Sequence, residues 1–143
     1  MHQHAIDVLQ NLDRHILVTG ASGSGKTTLL AELRMVDSDT RYYHFPDLNA
    51  GKQCWELCDD NFDDFDFLNT PERTLILDGV TAGDASSNSK VLHFIRTARK
   101  HGKRLIVVAY PTDAMQIKPL FGAVITLSGG IKDERNCAVE LLS

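Results

Sequence analysis

Gly20-Ala21-Ser22-Gly23-Ser24-Gly25-Lys26-Thr27 follows the pattern GxxxxGK[ST] at every position. The apolar run Ile16-Leu17-Val18 precedes it and suits a buried strand. Thr27–Met35 (TTLLAELRM) follows it and is rich in helix formers, with Leu29, Leu30 and Leu33 on one face. The octapeptide therefore sits between a predicted strand and a predicted helix, the context its chemistry requires. Glycines let consecutive backbone N–H groups turn inward around a phosphate, where side chains would block them. The following helix aims its positive end at the same anion. Lys26 adds a charge at the β- and γ-phosphates, and the Thr27 hydroxyl is a ligand for Mg2+. Gly20, Ala21, Ser22, Gly23, Ser24, Gly25, Lys26, Thr27 and Thr28 are thus the expected nucleotide-binding residues. The metal also needs an acid opposite Thr27 at the tip of a neighbouring strand. Leu75-Ile76-Leu77-Asp78 supplies it, which makes Thr27 and Asp78 the expected Mg2+ pair.

Outward from this stretch, Ala5, Val8, Leu9 and Leu12 recur at helical spacing and predict a short amphipathic helix over 3–13. Tyr42–Phe45 is β-prone and ends at Pro46. Thr74–Leu77, Leu105–Ala109 (LIVVA) and Ala123–Leu127 read as further strands. Thr81–Ser89 (TAGDASSNS) is a polar loop, either a switch or a plain connector. It caps a helix whose core face is Val91, Leu92, Ile95 and Ala98, and which Gly102 ends. A short helix is expected over Asp113–Lys118. Ala138–Leu142 is expected as a last strand, paired through the Gly129-Gly130 turn. Apolar runs without alternation, interspersed with helices, indicate a parallel sheet covered on both faces. The expected fold class is α/β: a three-layer sandwich around a largely parallel sheet of about five or six strands. Residues 1–143 read as a single domain, with an N-terminal helix in 1–14, a nucleotide-binding core over 16–127 and a C-terminal hairpin strand in 128–143.

The 143 residues are 43% hydrophobic and 24% charged, with 15 Lys+Arg against 19 Asp+Glu for a net charge of −4. That length is typical of one domain with a sizeable core, and the hydrophobic content excludes disorder. No apolar run approaches the roughly 18 residues of a membrane span, so no membrane insertion is expected. Met1-His2-Gln3-His4-Ala5-Ile6-Asp7 is too polar for a signal peptide. Three cysteines make no disulfide framework, which points to a reducing, cytoplasmic setting. The acidic balance argues against a whole-surface nucleic-acid binder and leaves room for a local basic patch.

With these motifs in this order, the chain resembles the P-loop NTPases. More narrowly it resembles their additional-strand (ASCE) division, which holds RecA-like, FtsK/HerA-like and secretion-type ATPases. The resemblance runs from Ile16 to about Leu127. Arg96–Tyr110 is similar to the basic helix end and following strand of FtsK/HerA-like DNA motors. Ile16–Leu30 (ILVTGASGSGKTTLL) is similar to the opening of type II/IV secretion ATPases. The resemblance implies a RecA-like fold with the octapeptide as Walker A and Asp78 as Walker B. The Walker A strand would lie beside the polar-tipped strand, with the Walker B strand beyond it. ATP and Mg2+ are the implied ligands, Lys26 and Asp78 the implied catalytic groups. The implied activity is ATP hydrolysis driving a DNA- or secretion-related motor or assembly process. Implied partners are DNA, secretion or packaging proteins, or further copies of the chain. The NKxD motif that usually marks GTP specificity does not occur, so ATP is favoured.

Two departures keep alternatives open. Gly79 stands where many members carry a water-activating Glu, and Tyr110-Pro111 intervenes before the candidate γ-phosphate sensors Thr112 and Asp113. RecA-like members take the catalytic carboxylate from the end of the strand after the P-loop helix. Asp47 is the candidate here, against the simpler reading of a turn residue after Pro46. Glu72 precedes its strand and would lie at the wrong end. A small-molecule kinase and a nucleotide-gated binding module without efficient hydrolysis remain as alternatives. A kinase would need an arginine-bearing lid, whereas the insert at 47–70 is acidic.

Lys90, Arg96, Arg99, Lys100, Lys103 and Arg104 place six of the 15 basic residues on one helix and its exit. They read either as a phosphate-backbone patch or arginine finger, or as cations matched to a helix C-terminus. Topology sends that helix end to the edge of the sheet away from the phosphate loop. Arg73 and Arg135 are alternative fingers. Glu56–Asp66 holds six carboxylates, of which Asp59, Asp60, Asp63 and Asp64 fill the face opposite a stripe of Trp55, Cys58, Phe62 and Phe65, the pattern of a solvated helix face rather than a calcium loop. Cys54, Cys58, Cys137 and His44 lack zinc spacing. With about 15 residues ahead of the first strand, the expected core leaves almost nothing appended. Either partner proteins supply cargo handling, or the chain binds and signals rather than pulls.

Overall fold

The computed structural model describes residues 3–20, 26–44, 71–78, 95–127 and 137–142. Along the chain these form α1 (Gln3–Asn11), β1 (Ile16–Gly20), α2 (Lys26–Val36), β2 (Thr40–His44) and β3 (Thr74–Asp78). A helix α3 covering 95–100 follows, then β4 (Arg104–Ala109), α4 (Pro111–Ile117) with a 3-10 turn at Lys118–Leu120, β5 (Ala123–Leu127) and β6 (Cys137–Leu141). The strands make one six-stranded sheet in the order β2-β3-β4-β1-β5-β6. All neighbours pair parallel except β6, which runs antiparallel to β5 with Val139 opposite Ile125. β1 is central: Ile16 pairs with Ile106 on one side and Ala123 on the other.

Strand periodicity of two sorts the apolar residues onto both faces of the sheet. Leu17, Leu75, Leu77, Leu105, Val107 and Val124 meet Ile95 and Ala98 of α3 and Ala114 and Ile117 of α4. Ile16, Val18, Ile76, Ile106, Val108 and Ile125 meet Leu9 of α1 and Leu29, Leu30 and Leu33 of α2. The three layers and the strand order, β4 beside β1 and β3 beyond, are those expected. No helix among the described residues is long and apolar enough to cross a membrane.

Boundaries move in places. β2 begins at Thr40, ahead of the expected Tyr42, because it pairs with β3 from Thr40 opposite Thr74 onward. α4 begins at Pro111 rather than Asp113. Proline suits the first helical turn, where its missing N–H would have no intrahelical partner. The stripe and acidic face within 47–70, the Thr81–Ser89 loop, Val91, Leu92 and the Gly129-Gly130 turn lie outside the described residues.

Two devices fix the amino edge of the sheet, where the parallel strands begin. Gly102 ends α3 with a left-handed φ of 74°. The Gly102 N–H donates to the Arg99 carbonyl at 3.0 Å and the Lys103 N–H to the Ala98 carbonyl at 3.0 Å. This is a Schellman cap, and it turns the chain straight into β4. His15 ties β1 to both neighbours: its Nδ1 accepts from the Leu105 N–H at 2.9 Å, and its carbonyl accepts from the Gly122 N–H at 3.0 Å.

Burial, reinforced by the Arg99 and Arg104 charges, pushes the His15 pKa down to about 4. The unfolded chain takes up this proton near pH 6.5, while native His15 stays neutral until about pH 4. The unfolded state therefore binds more protons in that window, and stability falls as pH drops through it. The loss amounts to about 3 kcal/mol between pH 7 and 4. Urea unfolding across this range is expected to show that slope, and His15→Gln to flatten it. An equal slope in the variant assigns the effect to other groups.

Candidate functional site

Side-chain parity gathers the site at the carboxyl edge of the sheet. Asp78 lies two residues beyond Ile76, and Tyr110 two beyond Val108 in extended backbone (φ −71°, ψ 158°). Ile76 and Val108 pack on the α2 face, so Asp78 and Tyr110 emerge on that face too. Tyr42 pairs with Ile76 across β2 and β3 and shares it. Lys26 opens α2, which is packed on the same face through Leu29, Leu30 and Leu33.

Two contacts define the corner. The Lys26 ammonium donates to the Gly20 carbonyl and lies 4.7 Å from the centroid of the Tyr110 ring. The Tyr42 hydroxyl donates to Asp78 Oδ2, while the Arg34 guanidinium sits 4.9 Å over the Tyr42 ring. Burial pulls the Lys26 pKa below the usual lysine value, and the Asp78 carboxylate opposes that shift by favouring the charged ammonium. Tyr110 is 52% exposed, so one side of its ring is open to solvent beside Lys26. Thr27 is exposed and Asp78 half-buried. A hydroxyl and a carboxylate are hard oxygen donors, and two such ligands are the usual protein share for Mg2+, which keeps water and substrate phosphate oxygens in its remaining positions.

Gly20, Lys26, Thr27, Thr28 and Asp78 all stand at this edge. Thr112 is exposed in the first turn of α4, two residues past Tyr110, and Asp113 follows it in the same turn. Ala21–Gly25 and Asp47 lie outside the described residues, as do Lys90 and Arg135. Glu72 and Arg73 are at the opposite edge, a five-residue strand away, or about 16 Å. There Arg41 pairs with Glu72 at 3.5 Å and Arg73 with Asp13 at 2.5 Å. Lys103 and Arg104 are also at that edge, so the topological expectation for the basic helix exit holds and neither reaches the Lys26 of its own chain. Tyr42 and Tyr110 went unassigned from sequence. Their only signal was spacing: Tyr110 keeps the β4 parity, and Tyr42 stands on the strand that turns out to flank β3.

No protein-family model matches the chain, and no curated protein matches it by sequence. Among solved structures it is similar to a Pif1 helicase from Candida albicans, with a TM-score of 0.56 and 16% identity over 94% of this chain and 41% of that one. It is also similar to a structure of two coordinating Pif1 helicases that addresses DNA unwinding at forked duplex DNA. There the TM-score is 0.55, with 13% identity over 90% of this chain and 43% of that one. The chain thus spans less than half the length of either helicase chain. At such identities the likeness establishes the fold: the described sheet and its covering helices form a RecA-like α/β core.

Proposed function

We propose that the chain binds ATP with Mg2+ at Gly20–Thr27 and hydrolyses it, as the nucleotide-binding core of a nucleic-acid motor. The observation that carries this is the carboxyl-edge corner, where Lys26 at the head of α2 and Asp78 at the tip of β3 share one face. In this proposal Gly20, Ala21, Ser22, Gly23, Ser24, Gly25 and Thr28 hold the phosphates through backbone and hydroxyl donors. Lys26 leaves the Gly20 carbonyl for the γ-phosphate and stabilises charge on the transferred group. Thr27 and Asp78 hold Mg2+, which when bound neutralises phosphate charge. The Tyr42 hydroxyl donates to Asp78 Oδ2 and so helps fix the carboxylate that would hold the metal. Asp47 orients the attacking water: it lies three residues past His44, which pairs with Asp78 across β2 and β3. Thr112 or Asp113 senses the γ-phosphate. The likeness to Pif1 cores favours DNA over a secretion cargo. One observation favours a second reading, binding without turnover: the Tyr110 ring, not a polar sensor, borders the Lys26 ammonium.

Phosphate release from labelled ATP and Mg2+, with and without single-stranded DNA, separates these readings. DNA-stimulated release is expected. Transfer to an added acceptor would mark a kinase, and binding without release a nucleotide-gated module. Lys26→Ala is expected to weaken ATP binding at least about a hundredfold while leaving the fold intact. Asp47→Asn should abolish turnover with nearly unchanged nucleotide affinity; full turnover in that variant removes Asp47 from the mechanism. Native mass with and without nucleotide tests self-association.

The Tyr42–Asp78 contact makes a separate demand on stability. A hydrogen bond to a half-buried carboxylate contributes about 1–2 kcal/mol. Tyr42→Phe and Asp78→Asn should therefore be non-additive by about that amount in a double-mutant cycle followed by urea unfolding. Strict additivity would dissolve the pair.

A further inference from the structure

At the amino edge, Arg104 is 3% exposed, yet the hydrogen bonds of its side chain to the described residues go to neutral oxygens. Its Nη1 donates to the Leu12 carbonyl at 2.8 Å and its Nε to the Thr74 hydroxyl at 3.1 Å. Buried guanidinium groups are ordinarily paired with an anion, because a charge taken out of water is expensive unless it is matched. Asp13, Asp37 and Asp39 favour the Arg104 charge through space, while burial and the Arg73 charge oppose it. Arg104 does not stand alone. With Asp13, Arg73, Arg99, Gly102 and Lys103 it lines a cleft of about 230 Å3.

Among the described residues that line the cleft, four cations face one carboxylate, and that carboxylate is already engaged, Asp13 pairing with Arg73 at 2.5 Å. Lys103 is 8% exposed and donates to the Glu72 carbonyl at 2.6 Å. Arg99 is exposed on α3 beside them. Arg104 is held by the Leu12 carbonyl and Thr74, and Lys103 by the Glu72 carbonyl, so these two charges are positioned before any ligand arrives. An anion entering here pays little for ordering these two side chains.

We propose that this cleft is a second anion site, separate from Gly20–Thr27, that takes a small, multiply charged phosphate group such as pyrophosphate. The cations that line it suit a compact polyanion better than a single phosphodiester. Arg99 supplies donors from the exposed face of α3, and the buried Lys103 and Arg104 supply fixed charge. The site lies about 16 Å, one strand length, from Lys26. It stands whether or not the chain hydrolyses ATP.

His15 reports on the cleft because it senses Arg99 and Arg104 and sits at the opposite edge from the phosphate loop. The test is a pyrophosphate titration of the full chain, followed by the His15 ring resonances in NMR. Saturable shifts are expected in the wild type and in Lys26→Ala, which impairs the other phosphate site. Arg99→Glu, a change on an exposed face, is expected to weaken the His15 response at least about tenfold. Unmoved His15 resonances, or an undiminished response in Arg99→Glu, would overturn the site. A single-stranded oligonucleotide that shifts His15 where pyrophosphate does not would overturn the small-anion assignment.

Discussion

Everything in this molecule hangs on the parallel pairing of β1 between β4 and β5. Parallel strands begin at one edge and end at the other, so the pairing separates two chemical environments by the length of a strand. Helices that cross back must place their N-termini at the carboxyl edge and their C-termini at the amino edge. α2 accordingly starts beside the tips of β1 and β3, where a helix dipole favours anions. α3 ends beside the start of β4, where the same dipole favours cations, and there Arg99, Lys100, Lys103 and Arg104 cluster. The two poles of charge follow from one hydrogen-bonding decision in the centre of the sheet.

The poles differ in how their charges are balanced. At the carboxyl edge Lys26 and Asp78 act on each other, and each has a tyrosine: a ring beside the ammonium, a hydroxyl on the carboxylate. Both residues are partly exposed, and solvent moderates their charges. At the amino edge the exposed pair of Arg73 with Asp13 contributes little because water screens it. The buried Arg104 carries the larger electrostatic cost, and it also stitches α1 to β3 through Leu12 and Thr74. His15 lies beside it and stays neutral for the same reason that Arg104 is costly: little water reaches either side chain.

Much of this was legible from residue order. Ile16–Val18, Leu75–Leu77, Leu105–Ala109 and Ala123–Leu127 are apolar without alternation, which only a doubly covered strand tolerates, and each proved to be one. Gly102 was legible as a helix stop because a left-handed residue ends helices. Strand order followed from the resemblance rather than from the runs themselves, since nothing local to Leu105–Ala109 says that it lies between β1 and β3. The site was half legible. Gly20, Lys26 and Thr27 could be located from one contiguous motif, and Asp78 from the end of its own apolar run. Tyr42 and Tyr110 could not, because their contacts depend on register between strands far apart in sequence. His15 was passed over for a similar reason: its partner, the Leu105 N–H, is 90 residues away.

Tyr110 also shows how a departure from the pattern of the proteins the sequence resembles can be read physically. A polar side chain at the tip of β4 would compete with Lys26 for a phosphate oxygen or assist it. An aromatic ring does neither, but it stabilises an ammonium by about 0.5–1 kcal/mol at an exposed position. The Gly20 carbonyl adds a hydrogen bond of about the same net size. A phosphate offers Lys26 a charge-assisted contact roughly twice as strong as a neutral one, with a full negative charge behind it. In the proposed reaction nucleotide therefore wins Lys26 from both resting partners, and the lysine is held near its working position beforehand instead of ranging through solvent. In the proposed site, what the ring takes from affinity it returns as order, which would let a tyrosine stand at the tip of β4 without abolishing nucleotide binding.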